Sequence, residues 1–119
     1  KTTFKTTLSS IQLQKLFNSL KGEFIQNNAS YSQFESVFSG IQISSVQNKL
    51  DWLGANNLLA YFIDAMIREG YIKEGNHWDI AKQCFTNSAN LANASCKYKD
   101  TSAGQPKKAD LINEIIKGL

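Results

Sequence analysis

The chain is predicted to be a mostly α-helical domain with at most a small two- or three-stranded sheet, and three observations lead there. Apolar residues recur at three- and four-residue spacing through most of its 119 residues, the mark of helices with one buried face. One segment, residues 48–72, changes period from two to nearly four at Gly54: Leu50 and Trp52 alternate with Asp51, then Leu58/Leu59, Phe62/Ile63 and Met66/Ile67 repeat every four residues. Hydrophobic residues make up 42% and charged residues 19%, a balance that separates a folded domain from a disordered segment.

The elements follow in order, five or six helices in all. Ser9 or Ser10 is placed to cap a helix running to about residue 27, with Leu13, Leu16, Phe17, Leu20 and Phe24 on one face. Ser30 and Gln33 have capping-box spacing, and Phe34, Val37 and Phe38 give the next helix an apolar side before Gly40 ends it. Residues 41–46 alternate apolar and polar, as an extended connector or edge strand does. After the central strand-turn-helix, Asn76 is placed to cap a helix to about Phe85 in which Trp78, Ala81 and Phe85 share a face. The Asn-rich residues 86–94 are predicted to form a short helix, residues 97–108 an exposed loop or wing, and Pro106 to open a terminal amphipathic helix bearing Leu111, Ile112, Ile115, Ile116 and Leu119. A helical region over residues 1–47 is expected to pack on a unit formed by residues 48–119, the whole sharing one core.

Several function classes lack their motifs. No glycine-rich phosphate loop and no histidine pair with metal-ligand spacing occur, so neither cofactor nor metal is expected and the protein is predicted not to be an enzyme. His77 is adjacent to Trp78 and close to Asp79, but near neighbours on a helix do not face each other, so a solvent-exposed first-turn histidine is expected. Cys84 and Cys96 have no Cys-x-x-Cys partner. A disulfide between them stays open, while the apolar surroundings of Cys84 favour a buried reduced thiol and a cytoplasmic compartment. No apolar run approaches a membrane span. The chain starts at Lys1 rather than Met, which leaves room for an upstream segment already removed. Asp64 and Arg68, four apart, are expected to form a surface ion pair.

Charge is more informative. The net charge is +3, and residues 96–108 alone carry four lysines, Lys97, Lys99, Lys107 and Lys108, against one aspartate. Lysines beside an Asn-rich helix suit a nucleic acid: the ammonium groups neutralise phosphates while Asn87, Asn90 and Asn93, three apart, reach base edges. Tyr98 is placed to stack or hydrogen-bond there.

Lys49, Trp52 and Gly54 form a Lys-x-x-Trp-x-Gly start to the central helix, and Leu59, Ile63, Ala65, Gly70, Ile72, Ile80 and Phe85 continue the pattern. In these positions the last seventy or so residues resemble the C-terminal region of RteC-type proteins, regulators carried on bacterial conjugative transposons. The resemblance implies a winged-helix domain of the helix-turn-helix kind that binds DNA, with residues 56–69 and 76–86 as its first helices and 87–96 in the recognition position. The family places several arginines before its last helix; here the lysines stand instead, and lysine neutralises phosphate without the bidentate geometry that reads guanine. The expected function is therefore a non-enzymatic DNA-binding regulatory protein of a mobile element. The alternative is a helical protein-interaction or self-association module, using an apolar patch of aromatic residues such as Tyr31, Phe34 and Phe38 or of the N-terminal helix.

Overall fold

The computed structural model describes residues 1–46, 48–100 and 104–119, the side chain of Asp100 excepted. Among these residues it holds six α-helices and no strand longer than an isolated bridge. The mostly helical expectation is met, and the pairing that was expected to build a small sheet is reduced to single contacts such as Ile25 with Trp52 and Leu50 with Phe85.

Helix α1 (Ser10–Leu20) begins with a complete capping box, in which the Ser9 hydroxyl accepts from the Gln12 amide and the Gln12 side chain accepts from the Ser9 amide. It stops seven residues earlier than residue 27, the predicted end. Lys21 turns extended, Gly22 takes φ +86°, and the amides of Phe24 and Ile25 fold back onto the Leu20 carbonyl. Phe24 is still buried, but from this turn rather than from the helix. Helix α2 (Tyr31–Phe38) is capped by Ser30 as expected, although the Gln33 side chain reaches the carbonyls of Asn48 and Lys49 instead of closing the box. Of the two forms expected for residues 41–46, an extended connector or an edge strand, the strand is not made: Ile43–Ser45 is a single 3-10 turn, and these residues form one bridge, Gln42 with Thr2.

The segment from Leu50 leads into α3 (Asn56–Arg68) as the change of period predicts. Gly54 lies at a close approach: a Cβ would stand 3.1 Å from the Leu58 side chain and 3.2 Å from the Trp52 indole nitrogen, so a larger residue would push one of them aside by a few tenths of an ångström. Helix α3 is the centre of the molecule, buried from Leu58 through Ile63 and again at Ala65 and Met66. Helices α5 (Leu91–Asp100) and α6 (Ala109–Lys117) pack directly on it, and α1 packs on both α2 and α6, so residues from both predicted regions enter one hydrophobic core. The chain start is pinned by backbone bonds from Thr3, Phe4 and Thr6 to the end of α2 and its following turn, and from Thr7 to Tyr71.

Helix α4 (His77–Cys84) ends one residue before its expected limit, and Asn76 precedes it in a left-handed conformation, φ 53°, without a side-chain cap. Helix α6 buries Ile112 and Ile116, half-buries Ile115 and leaves Leu111 exposed, and Leu119, past its end, is half-buried. Pro106 lies in the turn before α6 rather than in its first turn, and its carbonyl accepts from the Ala109 amide. None of these helices is long and apolar enough to cross a membrane among the described residues. The aromatic interaction patch is not a surface: Phe34 and Phe38 are fully buried against Phe4 and Phe17, and only Tyr31 is half-exposed.

Candidate nucleic-acid interface

Helix α5 starts later and ends later than predicted. Asn87 and Asn90 take the left-handed conformation, φ 56° and 58°, which asparagine tolerates better than most residues. They build the turn that leads to the helix, and the helix then runs through Lys97 and Lys99. The predicted loop over residues 97–108 is thus helical at its start, while residues 101–103 of it lie outside the described residues. The expected single face of Asn87, Asn90 and Asn93 is corrected accordingly, since only Asn93 belongs to the helix.

The Asn87 amide donates to the Gly54 carbonyl, and the Asn56 amide donates to the Ala89 carbonyl at 2.9 Å. These two bonds tie the turn before α5 to the start of α3. Along α5, Leu91, Ala94 and Ser95 are buried and Tyr98 half-buried, at offsets of three, four and seven, the spacing of one helical face. The other side presents Asn93, Cys96, Lys97 and Lys99 to solvent.

Four of the seven predicted binding residues meet in one place. Asn90, Asn93, Lys97 and Lys107 line a groove of about 520 Å³ between α5, the first residues of α3 and the segment 104–107. Asn56 and Asn57 of α3 complete its polar lining, with Gln105 and the edge of Tyr98. No carboxylate lines it among the described residues. The groove therefore offers the amides of Asn57, Asn90 and Asn93, each able to donate and accept, that of Asn56 already donating to the Ala89 carbonyl, and two lysine cations.

The other three predicted residues are elsewhere. Asn87 is spent on the Gly54 carbonyl. The Lys99 ammonium lies 3.4 Å from the Asp64 carboxylate, outside the groove. Lys108 is exposed at the start of α6, in a left-handed conformation, φ 68°. Two lysines at a helix N-terminus oppose the helix dipole. Lys107 and Lys108 are thus not there to stabilise α6, whose first turn is served by Asp110 instead. Lys97 and Lys99, in the last turn of α5, do favour their own helix electrostatically.

Asp64 was misassigned by the sequence. It does not pair with Arg68, which approaches Glu69 at 3.5 Å. Its carboxylate instead accepts from the hydroxyls of Ser95 and Tyr98, both at 2.6 Å, besides pairing with Lys99. These bonds cross from α3 to α5 and hold the helix that forms one wall of the groove. Asn56, Asn57 and Asp64 were missed as site residues. The Asn-Asn pair gave no signal on its own, whereas the stripe Leu91, Ala94, Ser95, Tyr98 could have located the buried face of α5.

His77 is half-buried rather than exposed. Burial lowers its pKa, its ring stands 4.4 Å from that of Trp78, and Nδ1 accepts from the Gly75 amide. The Asp79 carboxylate turns away to the Lys1 ammonium at 2.7 Å, so no carboxylate-imidazole pair forms. Cys84 is buried and Cys96 exposed, and both are free thiols. Burial pushes the Cys84 thiol up to about 11 from 9.0, so its contribution to stability is complete below about pH 9 and is lost as the pH rises through about 11. Iodoacetamide at about pH 8 is therefore expected to label Cys96 alone in the native protein. Peptide mass spectrometry checks this, and equal labelling of both cysteines would contradict the burial of Cys84.

Compared with protein-family models, with curated proteins and with solved structures, the chain matches none.

Proposed function

We propose that this protein is a non-enzymatic DNA-binding protein whose contact surface is the groove between α3, α5 and the segment 104–107. The observation that carries this reading is the lining: Asn56, Asn57, Asn90 and Asn93 with Lys97 and Lys107, and no carboxylate among the described residues. Nucleic acids demand that combination, with cations for phosphates and two-way amides for base edges. The resemblance of residues 48–119 to RteC-type regulators extends the proposal to a regulatory role on a mobile element and to a winged-helix-like arrangement of that part.

Binding is expected to be modest and strongly salt-dependent. With Lys97, Lys107 and Lys108 each neutralising about one phosphate, log K should fall against log salt with a slope of roughly −2 to −3. Anisotropy titrations on a DNA pool containing both native and heat-denatured fragments measure it. Lys97→Ala and Lys107→Ala should each flatten the slope by about 1, while Lys99→Ala, already paired with Asp64, should leave it nearly unchanged. No binding to that pool at low salt would sink the proposal.

A further inference from the structure

Which base a side chain selects depends on the donors and acceptors it carries side by side. A carboxamide holds a carbonyl and an NH2 group on one carbon. Adenine shows the complementary pair, the N7 acceptor beside the N6 donor, so the two join by two hydrogen bonds. Guanine shows two adjacent acceptors, N7 and O6; an amide satisfies one and sets its own oxygen against the other, whereas the two parallel donors of arginine satisfy both. Cytosine shows a single donor, which a carboxylate takes.

The groove matches the first of these patterns. The amides of Asn57, Asn90 and Asn93 line it, with Asn90 and Asn93 exposed and Asn57 half-buried. The single arginine of the chain, Arg68, lies elsewhere, beside Glu69, and no carboxylate lines the groove among the described residues. Asn93 is the best placed of the three amides. It stands in α5 four residues before Lys97, so both project from one exposed side of the helix as neighbours. An ammonium one turn along can hold a phosphate while the amide meets a base. We infer that the groove selects adenine, with Asn93 bonded to its N6/N7 edge and Lys97 on the backbone. This rests on the reading of the groove as the nucleic-acid contact. Adenine turns that edge to the major groove of a duplex, so a paired base presents it. The lysines add attraction without the choice: an ammonium carries donors only, and every nucleotide offers it a phosphate.

The test compares three non-self-complementary duplexes of one length at about 50 mM salt: one of A·T pairs, one of G·C pairs, and the A·T duplex with 7-deazaadenine in place of adenine. That analogue keeps Watson–Crick pairing and replaces the N7 acceptor by C–H. The A·T duplex is expected to bind about tenfold or more tighter than the G·C duplex, and the 7-deaza duplex to lose most of that advantage. Asn93→Ala puts a better helix former at an exposed position, so the thermal midpoint should hold or rise. The variant should weaken A·T binding about tenfold and leave G·C and 7-deaza binding unchanged, with the same salt slope because no charge is removed. G·C binding equal to or tighter than A·T binding, and sensitive to Lys97→Ala, would overturn the inference and leave the groove as the DNA contact. An A·T preference that survives the 7-deaza exchange would also overturn it, by pointing to the shape of the minor groove. So would a preference that Asn93→Ala leaves intact. Binding to none of the duplexes would overturn it as well, and the mixed-pool titration then decides the proposed function separately.

Discussion

Trp52→Ala is expected to cost the fold about 3–5 kcal/mol, measured as the shift of the urea unfolding midpoint at constant slope. The indole is 3% exposed and stacks between Phe24 and Phe62, each with ring centroids 5.8 Å away, while Phe85 meets it edge-on at 6.1 Å. Those three rings come from the turn after α1, from α3 and from the end of α4. Removing the indole therefore opens a cavity where three parts of the chain meet, and it also leaves the Ala55 carbonyl without the indole nitrogen that donates to it at 3.1 Å. Domains of this kind have only about 5–15 kcal/mol in hand, so the variant should sit near the limit of folding. A loss below about 1 kcal/mol would mean that the aromatic cluster repacks around the gap.

Asp64→Ala comes second, with an expected loss of about 2–4 kcal/mol. The Asp64 side chain is 16% exposed, and it is the acceptor for Ser95, itself 4% exposed, and for Tyr98. Alanine leaves the buried serine hydroxyl unpaired, and that desolvation penalty outweighs the removal of one partly buried charge. Asp64→Asn keeps an acceptor oxygen and should lose less. Tyr98 supplies an independent readout. Burial, the Asp64 hydrogen bond and the Asp64 charge, in that order, raise its phenol above 10.0. Its contribution to stability is then complete below about pH 10 and is lost as the pH rises further. In Asp64→Ala an ultraviolet titration should find Tyr98 ionising at lower pH, and an unchanged curve would show that Asp64 does not act on it. Since α5 forms one wall of the groove, the same variant should weaken nucleic-acid binding.

Much of the fold was legible because its signals are local. Ser9 and Ser30 cap the helices they were expected to cap, and Gly54 stands where the chain passes from paired residues to α3. Leu58, Leu59, Phe62, Ile63 and Met66 are buried as their spacing requires. The failures share a cause. Phe24 extended the pattern of α1 in the sequence, but a turn at Gly22 carries it into the core by another path. The alternation of residues 41–46 had a strand's period but found almost no partner to pair with, so a 3-10 turn formed. Asn87 and Asn90 look like helix residues by spacing, yet asparagine's tolerance of positive φ made them turn residues.

By itself the sequence determined the helical class, the apolar stripe of α3 and the concentration of lysines at residues 97–108. Each of these depends on composition or on neighbours within a turn or two. Only the tertiary structure decided which of those lysines is drawn into an ion pair among the described residues. Packing α5 on α3 sets Lys99 beside Asp64 and leaves Lys97 and Lys107 lining a groove whose other wall, Asn56 and Asn57, lies more than thirty residues before α5 in the chain. Helix periodicity says which face of a segment is buried; what that face is buried against, and what is thereby brought opposite the exposed one, is a long-range property that only the packed core settles.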